Sequence, residues 1–172
     1  MAYISLRLHG NALLYSRGMV SNLSRSSLDY SRVTKRLFLG TNHCCTIKFD
    51  KELLKKGVTL DISLEGEMID RALGIESQLW LPVKDEMAPS LRVLLIGVAA
   101  MQATINAKGV VYVHCHYGMG RGPTLVCAYL IAEMGLTVDE AIAYLVRRRP
   151  IVALEESQVR VLRQFEKRCR AL

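Results

Sequence analysis

The sequence predicts an α/β fold: a compact three-layer sandwich in which helices flank a central, largely parallel sheet of about four or five strands. Three observations carry that expectation. Short β-branched runs alternate with longer helical patterns along the chain. The helical patterns open on capping residues such as Ser90 and Thr137 and close on Gly57, Gly109 and Gly135. The chain has 172 residues, 51% of them hydrophobic, enough to bury the core of one domain and too apolar for a largely disordered protein.

The first thirty residues differ in texture from the rest. Arg7, Arg17 and Arg25 sit among Leu, Tyr and Ser, with no acid before Asp29, as in a mitochondrial presequence or an amphipathic surface helix. Residues 1–30 are read as a basic helical extension packed on a domain of residues 31–172. Arg36–Gly40 and Val58–Ile62 read as strands, separated by a helix near Phe49–Lys56 that Gly57 ends. Gln78–Val83 is a third strand, and Ser90 caps a long helix running to about Ala107. Val110–Val113, β-branched and aromatic without a charge, is a short buried strand. Leu125, Val126, Tyr129 and Leu130 then recur at helical spacing, with Pro123 in the first turn, where its missing N–H costs nothing. Thr137-Val138-Asp139-Glu140 has the form of a capping box opening a helix that Pro150 ends, and a last helix covers about Glu155–Arg170.

The richest chemistry lies between the Val110–Val113 strand and the helix behind it, in His114-Cys115-His116-Tyr117-Gly118-Met119-Gly120-Arg121. A cysteine at a helix N-terminus meets unpaired N–H groups and the positive end of the helix dipole, an environment that favours the nucleophilic thiolate. Gly118 and Gly120 let the backbone curl into a nest around an anion, which makes His116, Tyr117, Gly118, Met119, Gly120 and Arg121 the candidate phosphate-binding residues. Arg121 closes the loop with a planar fork able to hold two phosphoryl oxygens. Cys115 as nucleophile, a ring of donors and a bidentate cation aimed at one point suit phosphoryl transfer through a covalent thiophosphate. Expelling the leaving group also needs a proton, so a carboxylic acid should stand over the loop.

His114-Cys115, five intervening residues and Arg121 resemble the signature of the cysteine-dependent protein tyrosine phosphatases, and the spacing of the surrounding elements is similar to the dual-specificity branch. The resemblance runs from about Val33 to the C-terminus, through Arg36–Gly40, Gly57–Ile62, Leu79–Asp85, Arg149-Pro150, Gln158 and Leu162. It implies an α/β phosphatase that cleaves phosphomonoesters through phosphocysteine, with no metal or other cofactor. It also implies a general acid at Asp85, thirty residues before Cys115, with Glu86 as the nearest rival. His114 would fix the loop through hydrogen bonds. One departure stands out: Gly122 occupies the position where the family usually has a serine or threonine hydroxyl that helps hydrolyse phosphocysteine. Thr124 is the nearest other hydroxyl. The expected activity is that of a dual-specificity protein phosphatase. The alternative is a lipid phosphatase, since Glu65-Gly66-Glu67 lies where the phosphatidylglycerophosphate branch has an acidic cluster; an inactive phosphate-binding module ranks last.

Asp61, at the end of its predicted strand, is read as a turn or cap residue. His114 and His116 have no second Cys/His pair at zinc spacing, so no metal is expected. Five cysteines, an odd number with only Cys44-Cys45 adjacent, make no disulfide framework and suit a reducing compartment, cytoplasmic or alternatively mitochondrial. The net charge of +7 is concentrated at the ends: residues 1–36 hold six Lys/Arg against one acid and residues 147–172 eight against three. Such ends suit phosphorylated proteins or phospholipids as substrates, and the basic N-terminal segment suits peripheral membrane contact. No aromatic interleaving or motif points to nucleic acid. The longest uncharged stretch, Val93–Ala107, reads as a core helix because a membrane span needs about 18 apolar residues or more. Nothing in the chain signals an oligomeric state.

Overall fold

The computed structural model describes residues 28–45 and 48–171. Five strands form one sheet: β1 (Tyr30–Thr34), β2 (Leu37–Thr41), β3 (Val58–Glu65), β4 (Ser77–Val83) and β5 (Val110–Cys115). Their order is β1-β2-β5-β3-β4; β1 and β2 form an antiparallel hairpin and every other pair is parallel. Five helices accompany them: α1 (Lys51–Lys55), α2 (Leu91–Asn106), α3 (Arg121–Met134), α4 (Val138–Val146) and α5 (Glu156–Arg170). The expected α/β sandwich with a largely parallel sheet is therefore present. None of the described helices is long and apolar enough to cross a membrane.

The helices begin where side chains can satisfy their first N–H groups. The Asp50 carboxylate accepts from the N–H groups of Glu52 and Leu53, and Ser90 Oγ accepts from Val93. Thr137 and Glu140 complete the reciprocal capping box at α4, and Gly135 ends α3 in the left-handed conformation at φ 65°.

Strand alternation divides the core in two. Leu37, Leu39, Ile62, Leu64, Val111, Val113 and Cys115 pack toward α2, α3, α4 and α5. Phe38, Val110 and Tyr112 point the other way, joining Phe49, Leu53, Cys44 and Cys45 in a smaller core beneath α1. The period of two thus sends Cys115 to the large-core face and its neighbour His114 to the small-core face.

Three features differ from the expectation. Strand β1 lacks an apolar run: only Val33 of its five residues is buried, as suits a sheet edge. Its first residue, Tyr30, had been placed in the N-terminal extension; residues 1–27, the remainder of that expected helix apart from Leu28 and Asp29, lie outside the described residues. Strand β3 runs to Glu65 rather than stopping at Ile62, because Ser63 pairs with His114 of β5 and Glu65 with Val83 of β4. Helix α1 starts after Asp50, and Phe49 is spent on the small core instead.

Candidate active site

Strand β5 ends at Cys115, which is 3% exposed, and α3 begins at Arg121. The five residues between them form a loop whose carbonyls are held from outside. His116 O accepts from Asn42 N at 3.5 Å, and Met119 O from Ala153 N at 3.0 Å. Arg149 donates from Nη2 to Tyr117 O at 3.3 Å and from Nε to Gly118 O at 3.0 Å. Gly120 O accepts from Thr124 N at 2.9 Å. A trans peptide sets each N–H opposite its carbonyl, so tying these oxygens outward leaves the N–H groups of residues 117–121 available to a central anion. Gly118 makes the turn: its φ is +65°, and a Cβ there would lie 2.6 Å from Gly40 O.

In the sequence Arg149 belongs to a basic terminus and to the family resemblance, with no role of its own. It is 2% exposed, and its guanidinium is anchored by Asp29 at 2.8 Å. A buried charge is tolerable when paired and hydrogen-bonded throughout, and this one meets that condition while clamping two loop carbonyls.

Arg121 is 2% exposed and reaches toward the loop that follows β4. Its Nη2 lies 2.8 Å from Asp85 Oδ1, and its Nη1 donates to Val83 O at 2.8 Å and to Glu67 Oε2 at 2.6 Å. Asp85 N donates to the other oxygen of Glu67 at 2.8 Å. Burial alone would raise the Glu67 carboxyl, but its bonds from Arg121 and Asp85 outweigh this and hold it below the usual carboxylate range. Asp85 is 55% exposed and Glu67 44%, so both acids stand at an open mouth. Glu86, the rival acid, adopts φ 62° and makes no ion pair with Arg121. Gln158 ties this loop to α5 by donating to Met87 O at 3.1 Å. Sequence reasoning brought Cys115, Arg121 and Asp85 together and missed Glu67 as a partner of the arginine.

His116 and Tyr117 line the rim. His116 Nδ1 is 2.9 Å from Glu65 Oε1, and its ring meets the Tyr117 ring edge-on at 4.2 Å. Thr124 does not replace the missing hydroxyl at residue 122, because its Oγ1 donates back to Gly120 O at 2.8 Å. At Gly122 a Cβ would meet Leu39 Cδ1 at 3.2 Å and the His114 carbonyl carbon at 3.4 Å, close enough that Leu39 must give way to any side chain.

Two readings are corrected. Asp61 is neither a turn nor a cap residue: it lies within β3, fully buried, with Oδ1 3.3 Å from His114 Nε2. His114 does not reach the loop through its ring; Nε2 faces Asp61 and, at 3.4 Å, Cys45 Sγ. Burial opposes the imidazolium, but Asp61 raises His114 well above the ordinary imidazole value. The five cysteines are free, and burial pushes the Cys127 thiol up to about 12, which removes it as a rival nucleophile.

The chain is similar to known proteins in sequence and in fold. Human "Dual specificity phosphatase 28" is 32% identical over 122 residues, 70% of this chain and 68% of that protein. The Arabidopsis thaliana "Phosphatidylglycerophosphate phosphatase PTPMT2" is 33% identical over 90 residues, 52% of this chain and 40% of that protein. The crystal structure of PTPMT1 in complex with PI(5)P superposes with a TM-score of 0.72 at 27% identity, covering 83% of this chain and 97% of that one. Residues 37–168 match the family described as dual specificity phosphatase, catalytic domain. The chain belongs to the dual specificity phosphatase family, and its five-stranded domain is a phosphatase domain of that family.

Proposed function

We propose that the protein hydrolyses phosphomonoesters through a phosphocysteine intermediate. The observation that carries this is the convergence of Cys115, Arg121 and Asp85 on one loop, with Arg121 bridging to Asp85 at 2.8 Å. Cys115 Sγ attacks phosphorus while the loop N–H groups and Arg121 hold the equatorial oxygens. The ester oxygen leaves with the proton of Asp85. Water then attacks the phosphocysteine, giving its proton to the same carboxylate and releasing inorganic phosphate and the thiolate.

The preferred substrates are phosphoproteins, both phosphotyrosyl and phosphoseryl or phosphothreonyl. The exposure of Asp85 and Glu67 supports this, since an acid at an open mouth serves short and long phosphorylated side chains alike. A lipid substrate is the second reading, favoured by a separate observation. Met68, Ile69, Trp80, Met87 and Tyr117 are large exposed hydrophobic residues in the segments that carry Glu67, Asp85 and the loop. One relative is named a dual specificity phosphatase and another a phosphatidylglycerophosphate phosphatase.

The test is a panel of phosphotyrosyl and phosphothreonyl peptides, phosphoinositide vesicles and phosphatidylglycerophosphate vesicles, with an aryl phosphate as reference. Hydrolysis of both peptide types at rates above those for the vesicles is expected. Cleavage of lipid alone would overturn the protein reading, and inertness toward every ester would overturn the phosphatase reading.

Asp85→Asn is expected to slow phosphothreonyl peptide turnover by about 10²- to 10³-fold. The loss should shrink for aryl esters, whose leaving groups need less protonation. Equal losses across leaving groups, measured by steady-state kinetics, would assign Asp85 to loop positioning rather than proton transfer.

A further inference from the structure

The small-core face of the sheet carries a group of side chains that the proposed reaction does not use. Alternation along β5 turns His114 away from the side of Cys115, and β3 runs parallel beside it with Asp61 on that same face. The segment after β2 delivers Cys44 and Cys45 to this place. One ligand-type atom from each of Cys44, Cys45, Asp61 and His114 lies within 4.8 Å of the others, and all four residues are buried. His114 Nε2 is 3.3 Å from Asp61 Oδ1 and 3.4 Å from Cys45 Sγ, and the two sulfurs are 2.7 Å apart. Asp61 Oδ2 faces Gln78 Nε2 at 3.5 Å, and the buried Oδ1 has the His114 imidazole as its neighbour. A carboxylate held in a core this way is costly to bury, and this one shares its pocket with two thiols and an imidazole.

We propose that Cys44, Cys45, Asp61 and His114 form a closed binding site for a zinc-type divalent cation behind the nucleophile. Two sulfurs, one imidazole nitrogen and one carboxylate oxygen are a donor set for a borderline-soft tetrahedral ion, not for calcium or magnesium. Zinc bond lengths place tetrahedral ligand atoms about 3.3–3.8 Å apart. The two His114 contacts match that spacing, and the two sulfurs need to open. Four protein ligands leave no position for a substrate, which marks the site as structural. Gln78 holds the outer oxygen of Asp61, the kind of outer contact that orients a metal-ligating carboxylate. Binding needs both sulfurs as thiolates and a bare His114 Nε2, so it releases protons to solvent. The ion would pin the segment after β2 to β3 and β5, one residue before Cys115. A second grouping, Glu65, Asp70 and His114, shares the imidazole but offers no sulfur.

The test uses the full chain purified without chelator. Elemental analysis should find about one zinc per chain. Titration of stripped protein with cobalt(II) should give a thiolate-to-cobalt charge-transfer band saturating at about one equivalent, and zinc should bleach it. Cys44→Ser/Cys45→Ser should abolish that band, and Asp61→Asn should weaken cobalt binding at least about tenfold. Cys127→Ala should leave both unchanged. Cys115→Ser should also leave them unchanged, which separates this site from the phosphatase reading. A wild-type chain that yields no thiolate band overturns the proposal. So does a band that survives in the double variant, or an intact mass two hydrogens light with Cys44 and Cys45 joined. If the double variant does not fold, the wild-type spectrum and Asp61→Asn decide the matter.

Discussion

Replacing Cys115 with serine is expected to lower turnover of an aryl phosphate by at least about 10⁵-fold, to the uncatalysed background. The hydroxyl is close to isosteric with the thiol but stays protonated at neutral pH. The cradle itself does not depend on the sulfur. Its carbonyls are tied by Asn42, Arg149, Ala153 and Thr124, so the variant should bind inorganic phosphate about as well as the parent. The check is paired: steady-state kinetics for the rate, and calorimetry or competition for the anion. Turnover clearly above background in the serine variant would sink the phosphocysteine route.

Arg121→Lys is expected to cost about 10³- to 10⁴-fold in kcat/KM and, unlike the serine variant, to weaken anion binding as well. The guanidinium makes three contacts from two nitrogens, to Glu67, Val83 and Asp85, each between 2.6 and 2.8 Å. A lysine ammonium is a single point on a flexible stem and cannot meet that set while also gripping two phosphoryl oxygens. Because the side chain is 2% exposed, the shorter reach also leaves unfilled space beneath the loop. Kinetics together with phosphate inhibition separate the outcomes. A variant with weakened turnover but parental affinity for inorganic phosphate, a ground-state anion, would show that Arg121 acts on the transition state alone.

The loop was legible because its chemistry occupies eight consecutive residues whose strand and helix neighbours have strong local patterns. Asp85 was placed by its distance from Cys115 and by the apolar run before it. Other parts of the site had no local signature. Along β3, Leu60, Ile62 and Leu64 alternate with Asp61, Ser63 and Glu65, which reads as a strand with one wet face. That face is dry because α1 and the residues after β2 cover it, a tertiary fact invisible at the level of the strand. The run Arg147-Arg148-Arg149 reads as solvated charge, yet its third member is the buried clamp on the loop. Cys44 and Cys45 read only as an adjacent pair that makes no disulfide framework. Spacing along the chain does not show that Asp61 and His114, from two neighbouring strands, come to lie beside them.

The pairing of Arg121 with Glu67 and Asp85 means that the guanidinium meant for the phosphoryl group is engaged by the protein's own anions before any substrate arrives. Ligand capture is thus an exchange reaction, in which a dianionic ester must outbid two half-exposed carboxylates for one guanidinium. A singly charged or diffuse anion has little to offer in that exchange, and a phosphoryl group with three oxygens for the loop has much. Selectivity for phosphate over the common anions of the cell would then reside in the resting state of the enzyme, ahead of any chemistry.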